Sequence, residues 1–346
     1  MQSRLARLSR EGSLYDRLPD GSVRCWACAH ECRIREGRAG ICRVRFNEDG
    51  RLKVPFGYAA GLQVDPIEKK PFFHVLPGSA TLSFGMLGCS LRCRFCQNWV
   101  SSQALRDPEA RAPVQECSAE WLIGLAKDHG VPVVTSTYNE PLVTAEWAMA
   151  VFEKARAEGL RTAFVSNGFA SERALKTLRP WVDFFKVDLK CFDDRTYRNV
   201  MGARLSKVLA AIETLACSGT WVEVVTLVVP GMNDSDEALR GISKFLAGVS
   251  KDIPWHVTAF HGDYKMAQAC STPARTLERA AWIGRAEGLR YVYAGNLPEA
   301  GGGLEDTRCA GCSQTLVQRR GFRVLSNIIM GGRCPKCSSA VAGVWG

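Results

Sequence analysis

The chain contains, at residues 88–98, the stretch Gly88-Cys89-Ser90-Leu91-Arg92-Cys93-Arg94-Phe95-Cys96-Gln97-Asn98. Its C-x3-C-x2-C spacing can fold three thiolates around one small inorganic core. Iron–sulfur cubes normally take four cysteines, so three cysteines leave one iron open, as a catalytic metal site leaves a position for its substrate. A three-cysteine zinc site or a set of buried thiols is the alternative. The apolar strand before the loop and the aromatic Phe95 favour the cluster.

The composition describes a globular protein. With 346 residues, 46% hydrophobic and 23% charged, the chain can bury a large core and does not resemble a disordered chain. No apolar run approaches the roughly 20 residues of a membrane span. The first residues lack the apolar segment of a secretory signal, and we expect a cytoplasmic protein without a membrane partner.

Fifteen cysteines fit a reducing compartment only if most of them bind metal. Eleven form three groups, and four are isolated: Cys25/Cys28/Cys32/Cys42, Cys89/Cys93/Cys96 and Cys309/Cys312/Cys334/Cys337, then Cys117, Cys191, Cys217 and Cys270. Disulfides within the two terminal groups, formed in an oxidising compartment, are the minor alternative.

The net charge of +10 is concentrated at the two cysteine-rich ends. Residues 1–53 hold 12 basic and 7 acidic residues, and residues 301–346 hold 6 and 2. Basic ends attract acidic proteins or nucleic acid, although solvated arginine-rich faces are the commoner explanation. Aromatic residues are not interleaved with the basic ones, so we expect no nucleic-acid partner.

From about Ala80 the sequence alternates between strands and helices, which predicts a parallel α/β sheet or barrel. The expected strands are Ala80–Gly85, Pro132–Thr137, Arg161–Ser166, Asp183–Leu189, Trp221–Val229 and Trp255–Phe260, with a short last segment at Tyr291–Ala294. The expected helices are Ala119–Asp128, Thr144–Glu158, Glu172–Leu178, Leu205–Ser218, Asp236–Ala247 and Pro273–Glu287. Six βα units are fewer than the eight of a closed barrel, and a flat doubly wound sheet is the alternative.

Each distinctive polar motif comes where an apolar strand ends. The cysteine loop follows the first strand, Tyr138-Asn139-Glu140-Pro141 the second and Ser166-Asn167-Gly168 the third, and Asp188 and Lys190 end the fourth. Pro230–Asp234 follows the fifth strand, and His256 and His261 flank the sixth. The carboxyl ends of parallel strands share one face, so we expect these groups to converge on one cavity.

Several motifs resemble the radical S-adenosylmethionine superfamily, in its pyruvate formate-lyase activating enzyme-like branch. Besides the cysteine loop they are Asp65-Pro66-Ile67-Glu68-Lys69-Lys70-Pro71, Cys96-Gln97-Asn98-Trp99, Thr137-Tyr138-Asn139-Glu140-Pro141 and Trp255-His256-Val257-Thr258. The cysteine-rich ends and the closing Gly343-Val344-Trp345 are similar to the AmmeMemoRadiSam subgroup. The resemblance covers nearly the whole chain.

The resemblance implies a partial (β/α)6 barrel and a definite chemistry. A [4Fe–4S] cluster on Cys89, Cys93 and Cys96 would bind S-adenosylmethionine through its amino and carboxylate groups. One electron would then break the bond between sulfur and ribose carbon and give a 5′-deoxyadenosyl radical that abstracts hydrogen from a substrate. The implied partners are a flavodoxin- or ferredoxin-type electron donor and either a protein substrate or a Memo- or AMMECR-type protein.

The residues that the resemblance assigns to S-adenosylmethionine are Phe95, Gln97, Asn139, Glu140, Ser166, Asn167, Asp188, Lys190 and His256. Glu140 suits the ammonium group, because a carboxylate beside a cation in a dry cavity is a strong partner; helix initiation before Pro141 is its alternative role. Ser166 and Asn167 could instead form a turn. Asp188 and Lys190, two residues apart on an extended segment, face one side and could form a structural ion pair. Cys191, His261 and Tyr264 are candidates for substrate contact; Cys191 is otherwise a small buried hydrophobe.

The two ends of the chain are predicted to be metal-binding modules. Cys309, Cys312, Cys334 and Cys337 have the C-x2-C-x21-C-x2-C spacing of a zinc ribbon, with iron as the less favoured metal. Cys25, Cys28, Cys32 and Cys42 suit either zinc or an auxiliary cluster, and the absence of a doubled ferredoxin pattern favours zinc. We therefore divide the chain into a cysteine-rich module (1–53), a radical SAM barrel (54–300) and a zinc-ribbon-like module (301–346). The rival hypothesis is a metal-stabilised module that binds nucleic acid or protein without turnover.

Overall fold

The computed structural model describes residues 2–297 and 303–346. Its strands are β1 (Ser9–Glu11), β2 (Tyr15–Arg17), β3 (Val23–Cys25), β4 (Arg33–Ile34), β5 (Phe46–Glu48), β6 (Arg51–Pro55), β7 (Tyr58–Ala59), β8 (Gly61–Pro66), β9 (Ala80–Gly85), β10 (Gln115–Glu116), β11 (Val133–Ser136), β12 (Arg161–Ser166), β13 (Phe184–Asp188), β14 (Trp221–Val228), β15 (Trp255–Ala259), β16 (Val292–Gly295), β17 (Thr307–Arg308), β18 (Thr315–Arg320) and β19 (Arg323–Asn327). The helices are α1 (Gln2–Arg7), α2 (Trp99–Ser102), α3 (Ala119–Asp128), α4 (Ala145–Ala157), α5 (Glu172–Leu178), α6 (Asp194–Thr196), α7 (Leu205–Cys217), α8 (Asp236–Val249) and α9 (Ala274–Ala286). Short 3-10 turns occur at Ile67–Lys69, Pro141–Thr144, Arg179–Trp181 and Tyr264–Met266, and a π turn at Tyr197–Met201.

One eight-stranded sheet forms the centre of the fold, in the order β16-β15-β14-β13-β12-β11-β9-β8. Seven of its strands are parallel, and β8 pairs antiparallel with β9 at one edge. Helices α3, α4, α5, α7, α8 and α9 connect successive parallel strands, which gives the six predicted βα units. Because β8 and β16 do not pair with each other in the described part of the chain, the sheet stays open. The α/β class with a partial barrel is confirmed.

Three of the six barrel helices begin at a capping serine. Ser118, Ser171 and Ser235 each accept the backbone N–H of the residue three positions later, at the starts of α3, α5 and α8. Each of these helices turns alanine, leucine or isoleucine toward the sheet, whose strands are almost wholly buried. Burial of these apolar surfaces on the sheet is the main stabilising contribution to the barrel.

The N-terminal strands share the core of the barrel. Leu14, Val23 and Val54 lie in one apolar cluster with Leu82 of β9 and the α4 side of the sheet. Strand β6 ends at Pro55, two residues beyond the expected module boundary at residue 53, which stays a prediction.

The C-terminal region packs against the segment that precedes β9. The backbone of Val344 accepts the N–H of Leu76 and donates to the carbonyl of His74, both at 2.7 Å. The His74 ring contacts the carbonyl oxygen of Ala342 at 2.6 Å through Nδ1. The closing Gly-Val-Trp segment is therefore fixed to the barrel by backbone pairing. No helix in the described parts of the chain has the length and apolarity required to cross a membrane.

Candidate active site

The cysteine loop begins directly after β9 and needs two glycines to pass close to its neighbours. A Cβ on Gly85 would lie 2.4 Å from the carbonyl oxygen of Thr137, and one on Gly88 would lie 2.6 Å from Val44. Gly88 also has a φ of +94°, which a residue with a side chain rarely adopts. The loop is thereby held against the β11 motif on one side and the N-terminal region on the other.

The carboxyl ends of the parallel strands surround a cavity of about 410 Å³. All three loop cysteines and all nine residues predicted to contact the cofactor line it: Cys89, Cys93, Cys96, Phe95, Gln97, Asn139, Glu140, Ser166, Asn167, Asp188, Lys190 and His256. The geometry thus brings together motifs from five separate segments of the sequence, while Pro230–Asp234, which was expected to join them, is not part of the lining. Their roles toward a cofactor stay predictions.

Glu140 is a buried carboxylate at the wall of this cavity, 2% exposed. Its Oε1 accepts the Leu142 N–H at 3.1 Å and the Ser166 hydroxyl at 2.7 Å, and its Oε2 accepts the Asn167 N–H at 2.8 Å. Burial raises the pKa of Glu140 to about 7, against the opposing effect of these donors. The helix-initiating role is therefore present, and Oε2 keeps a lone pair for a further donor.

Tyr138, two residues earlier, is held in the left-handed region with a φ of +69°. Its hydroxyl donates to Asp65 Oδ2 at 2.8 Å, and Lys70 Nζ lies 2.6 Å from the same oxygen. Burial would raise the pKa of Asp65, but Lys69, Lys70 and Tyr138 hold it well below its usual range. The residues of the Asp65–Pro71 motif therefore support the strained backbone next to Glu140.

Asn167 connects the β12 motif to the cysteine loop. Its Nδ2 donates to the Ser90 hydroxyl at 3.0 Å and to Cys89 Sγ at 3.7 Å. Its Oδ1 accepts the Phe169 N–H at 2.9 Å, which fixes the orientation of the amide. The predicted turn is thus present and also places an amide donor at a loop sulfur.

A row of three charges crosses the cavity along β13. Asp188 pairs with Lys186 through Oδ1 and with Lys190 through Oδ2, the latter at 3.1 Å. Burial would raise the pKa of Asp188, but the two ammonium groups lower it to about 2. The ion pair of Asp188 and Lys190 is observed, and Lys186 was missed although its position, two residues before Asp188, puts it on the same face.

His256 lies on the cavity floor and pairs with a carboxylate that sequence reasoning missed. Its Nε2 is 2.7 Å from Glu223 Oε2, and its ring stacks on Tyr293 with centroids 5.2 Å apart. Glu223 also accepts the N–H groups of Phe73 and His74. An acidic residue in the middle of the apolar strand Trp221–Val228 was the signal that could have identified it.

The three residues proposed for substrate contact lie outside the cavity lining. Cys191 is buried, and its thiol donates to the Asp193 carbonyl at 3.4 Å. His261 is exposed, and Tyr264 donates to Asp107 and stacks on Trp99. Their contact with a substrate stays a prediction.

The loop sulfurs fit a cluster better than a single ion. At about 2.3 Å from each sulfur, a tetrahedral zinc holds its ligand sulfurs about 3.8 Å apart. In the described part of the chain, only Cys309, Cys312, Cys334 and Cys337 bring three or more ligand atoms all within 4.8 Å of one another. Cys89, Cys93 and Cys96 are therefore spread more widely around the cavity, although their thiols interact electrostatically. Burial raises the pKa of Cys93 to about 12, so bound metal is needed to keep it ionised.

Comparison with known proteins agrees with this geometry. Residues 85–241 match the Radical SAM superfamily model. An uncharacterized protein of Methanocaldococcus jannaschii is 36% identical over 336 residues, covering 96% of this chain and 98% of that protein. Pyruvate formate-lyase 1-activating enzyme of Escherichia coli is 25% identical over 236 residues, covering 63% and 93%. In fold, a radical SAM methyltransferase from Sphaerobacter thermophilus matches with a TM-score of 0.50 and 16% identity, covering 64% and 68%.

The family match covers the loop cysteines and all the predicted cofactor contacts in the cavity except His256. It begins at Gly85, the last residue of β9. It includes the cysteine loop and the strands β11 to β14 with their polar ends. The chain is an enzyme of the radical SAM superfamily, and its relatives include activating enzymes such as that of pyruvate formate-lyase.

Proposed function

We propose that the enzyme cleaves S-adenosylmethionine reductively at a [4Fe–4S] cluster on Cys89, Cys93 and Cys96 and abstracts hydrogen from a substrate. The convergence of these cysteines with Glu140, Ser166 and the β13 charges on one cavity carries the proposal. When bound, the cluster supplies the electron that splits the cofactor into methionine and a 5′-deoxyadenosyl radical.

The chain's own residues bind and orient the cofactor. Glu140 Oε2, fixed by Asn167, accepts a hydrogen bond from the amino group of methionine. Lys190 lies near Cys93 and offsets part of the negative charge of the thiolates. Phe95, 2% exposed, forms the wall beside the third cysteine and limits the access of water to the radical, and Gln97 lines the same cavity as an exposed side chain.

For the substrate, a glycyl radical protein is the first candidate, since relatives are activating enzymes for pyruvate formate-lyase, isethionate sulfite-lyase and benzylsuccinate synthase. A small molecule or peptide is the second candidate. A low-potential flavodoxin- or ferredoxin-type protein in the cytoplasm would supply the electron.

The C-terminal quartet is proposed to bind zinc. Cys309 and Cys337 have sulfurs 3.5 Å apart, and those of Cys312 and Cys334 are 3.7 Å apart, as tetrahedral zinc requires. The zinc would hold the small cluster of Phe73, Leu316 and Val341 against the barrel. The expected module of residues 301–346 would thus have a structural role.

The test is anaerobic reconstitution with iron and sulfide, followed by dithionite and S-adenosylmethionine. We expect 5′-deoxyadenosine from the wild type and from Cys217→Ala, whose thiol is exposed and isolated, and none from Cys93→Ala. Glycyl radical formation in a co-purified protein, measured by electron paramagnetic resonance (EPR), would identify the first substrate class. Salt-sensitive binding of nucleic acid without 5′-deoxyadenosine would favour the rival hypothesis of a binding module.

A further inference from the structure

The four N-terminal cysteines converge on one site that the proposed function does not use. Cys25, Cys28 and Cys42 are buried and Cys32 is half-buried. The thiols of every pair among the four interact electrostatically. Backbone N–H groups two residues after Cys25, Cys28 and Cys42 point at these sulfurs, as they do at Cys89 and Cys96 of the catalytic loop. Such N–H donors stabilise thiolates.

The spacing of these sulfurs separates the N-terminal quartet from the C-terminal one. In the portions of the chain that the structure describes, no three of the four N-terminal sulfurs lie within 4.8 Å of one another, whereas all four C-terminal sulfurs do. One zinc ion needs sulfurs about 3.8 Å apart. The wider spacing is shared with Cys89, Cys93 and Cys96, the three ligands assigned to a cluster. The N-terminal sulfurs are thus spaced more widely than the ligands of one zinc ion, as cluster ligands are.

A buried donor beside the quartet has no acceptor. Arg45 is 1% exposed, and its two terminal nitrogens bind Glu146 at 2.8 and 2.6 Å. Its Nε carries a proton but has no hydrogen-bond partner. The guanidinium interacts electrostatically with Cys25 and Cys42, which puts it at the edge of the quartet. Either an inorganic sulfide or a metal-bound thiolate would accept this N–H, so the unpaired donor indicates a bound metal centre at the quartet.

The quartet is also joined to the catalytic loop. Nη2 of Arg106 donates to the carbonyl of Ile41, next to Cys42, at 2.5 Å and to the carbonyl of Cys89 at 2.7 Å. His30, between the second and third cysteines, contacts the carbonyl oxygen of Ser90 at 3.0 Å through Nε2. A quartet so placed forms part of the wall that supports the catalytic cysteines.

We propose that Cys25, Cys28, Cys32 and Cys42 bind a second [4Fe–4S] cluster, fully ligated by protein, in place of the zinc that the sequence alone favours. Arg45, buried beside Cys25 and Cys42, would offset part of the negative charge of this cluster. Because four cysteines occupy all of its irons, this cluster does not bind S-adenosylmethionine. This proposal rests on the proposed function only because the catalytic loop serves as the reference for the sulfur spacing of a cluster.

The test uses the full chain with Cys89→Ala, Cys93→Ala and Cys96→Ala combined, reconstituted anaerobically beside the wild type. We expect the triple variant to keep about half of the wild-type iron and sulfide, since two [4Fe–4S] clusters become one. Its reduced form should give an EPR signal that S-adenosylmethionine leaves unchanged, with about one zinc per chain at the C-terminal quartet. The double variant Cys217→Ser and Cys270→Ser, which removes two exposed isolated thiols, is the matched control and should retain all of the iron.

Loss of all iron from a folded triple variant would overturn the inference, whether or not zinc takes its place. If the triple variant does not fold, the wild type decides by itself: about eight iron and one zinc per chain support a second cluster, and about four iron contradict it. The proposed function fails separately, when 5′-deoxyadenosine is not formed by a protein that keeps both clusters.

Discussion

The catalytic loop and the C-terminal quartet both collect cysteines, but they present them differently. The loop places three sulfurs at the wall of a polar cavity, among buried charges such as Glu140 and Asp188. The C-terminal quartet draws four sulfurs together in a small region packed on Phe73 and Tyr293. Three cysteines would leave a metal position open for a ligand, and four would close the coordination shell. Reactivity is therefore expected from the loop and stability from the quartet.

The largest expected effect is the loss of cofactor cleavage in Cys93→Ala, because a two-cysteine loop cannot hold the cluster. Cys337→Ala, its counterpart in the quartet, should still form 5′-deoxyadenosine. Chromatographic measurement of 5′-deoxyadenosine in both variants checks this. If both variants lose 5′-deoxyadenosine formation to the same extent, the two regions do not differ in role as proposed.

A large effect on stability is expected when the quartet loses a ligand. Structural zinc contributes on the order of 10 kcal/mol of folding free energy in small modules, so Cys334→Ala should release zinc and unfold the C-terminal region. Limited proteolysis and differential scanning calorimetry measure this. Cys217→Ala, at an exposed thiol, is the control and should melt as the wild type does. A zinc-free Cys334→Ala protein with an unchanged Tm would contradict the structural role.

On the cavity side, Glu140→Gln should weaken the binding of S-adenosylmethionine by about 2 kcal/mol, as expected when a hydrogen bond to a charged group is lost. The pH dependence has a definite sign. The pKa of Glu140 is about 7, so its carboxyl group is neutral below that pH and charged above it. The affinity of the wild type for S-adenosylmethionine should therefore rise as pH increases through 7. The Gln variant should not show this pH dependence. Calorimetric titration between pH 6 and 8 tests both points; an identical pH profile for the two proteins would contradict the role of Glu140.

The smallest expected effects come from one hydroxyl in each region. Ser102 Oγ is 3.2 Å from Cys96 Sγ, and Ser339 Oγ is 3.3 Å from Cys337 Sγ. Ser102→Ala should lower the reduction potential of the cluster, since hydrogen bonds to sulfur stabilise its reduced form. Ser339→Ala should weaken zinc binding by about tenfold and leave the potential unchanged. Redox titration followed by EPR and zinc competition with a chelator give the two readouts. A shift in potential in Ser339→Ala would contradict the assignment.

The sequence predicted most of the barrel because its strands are apolar and three of its helices begin at a capping serine. Two strands and two helices have the predicted bounds, namely Ala80–Gly85, Arg161–Ser166, Ala119–Asp128 and Glu172–Leu178, and the other barrel elements differ by one or two residues at their ends. The edge strand Gly61–Pro66 was missed. It is short, contains polar residues and is largely exposed, so its pairing with β9 depends on tertiary contacts rather than on its own pattern.

Residues of the site were predicted where a polar motif ends a strand, and two were missed where a polar residue lies within a strand. Lys186 is buried within β13 and forms an ion pair with Asp188 of the same strand. Glu223 is buried within β14 and pairs with His256 of the neighbouring strand β15. Position along a strand does not reveal such partners. The difference between the two terminal quartets likewise depends on distances between sulfurs, which cysteine spacing in the sequence does not determine.

The most direct test of the open iron site is electron–nuclear double resonance of the reduced wild-type protein with S-adenosylmethionine labelled with ¹⁵N at its amino group. We expect a ¹⁵N hyperfine coupling, because that nitrogen binds the iron left free by Cys89, Cys93 and Cys96. The coupling should be absent from Cys93→Ala. A reduced, intact cluster in the wild type that shows no coupling to the labelled nitrogen at saturating S-adenosylmethionine would contradict the central claim.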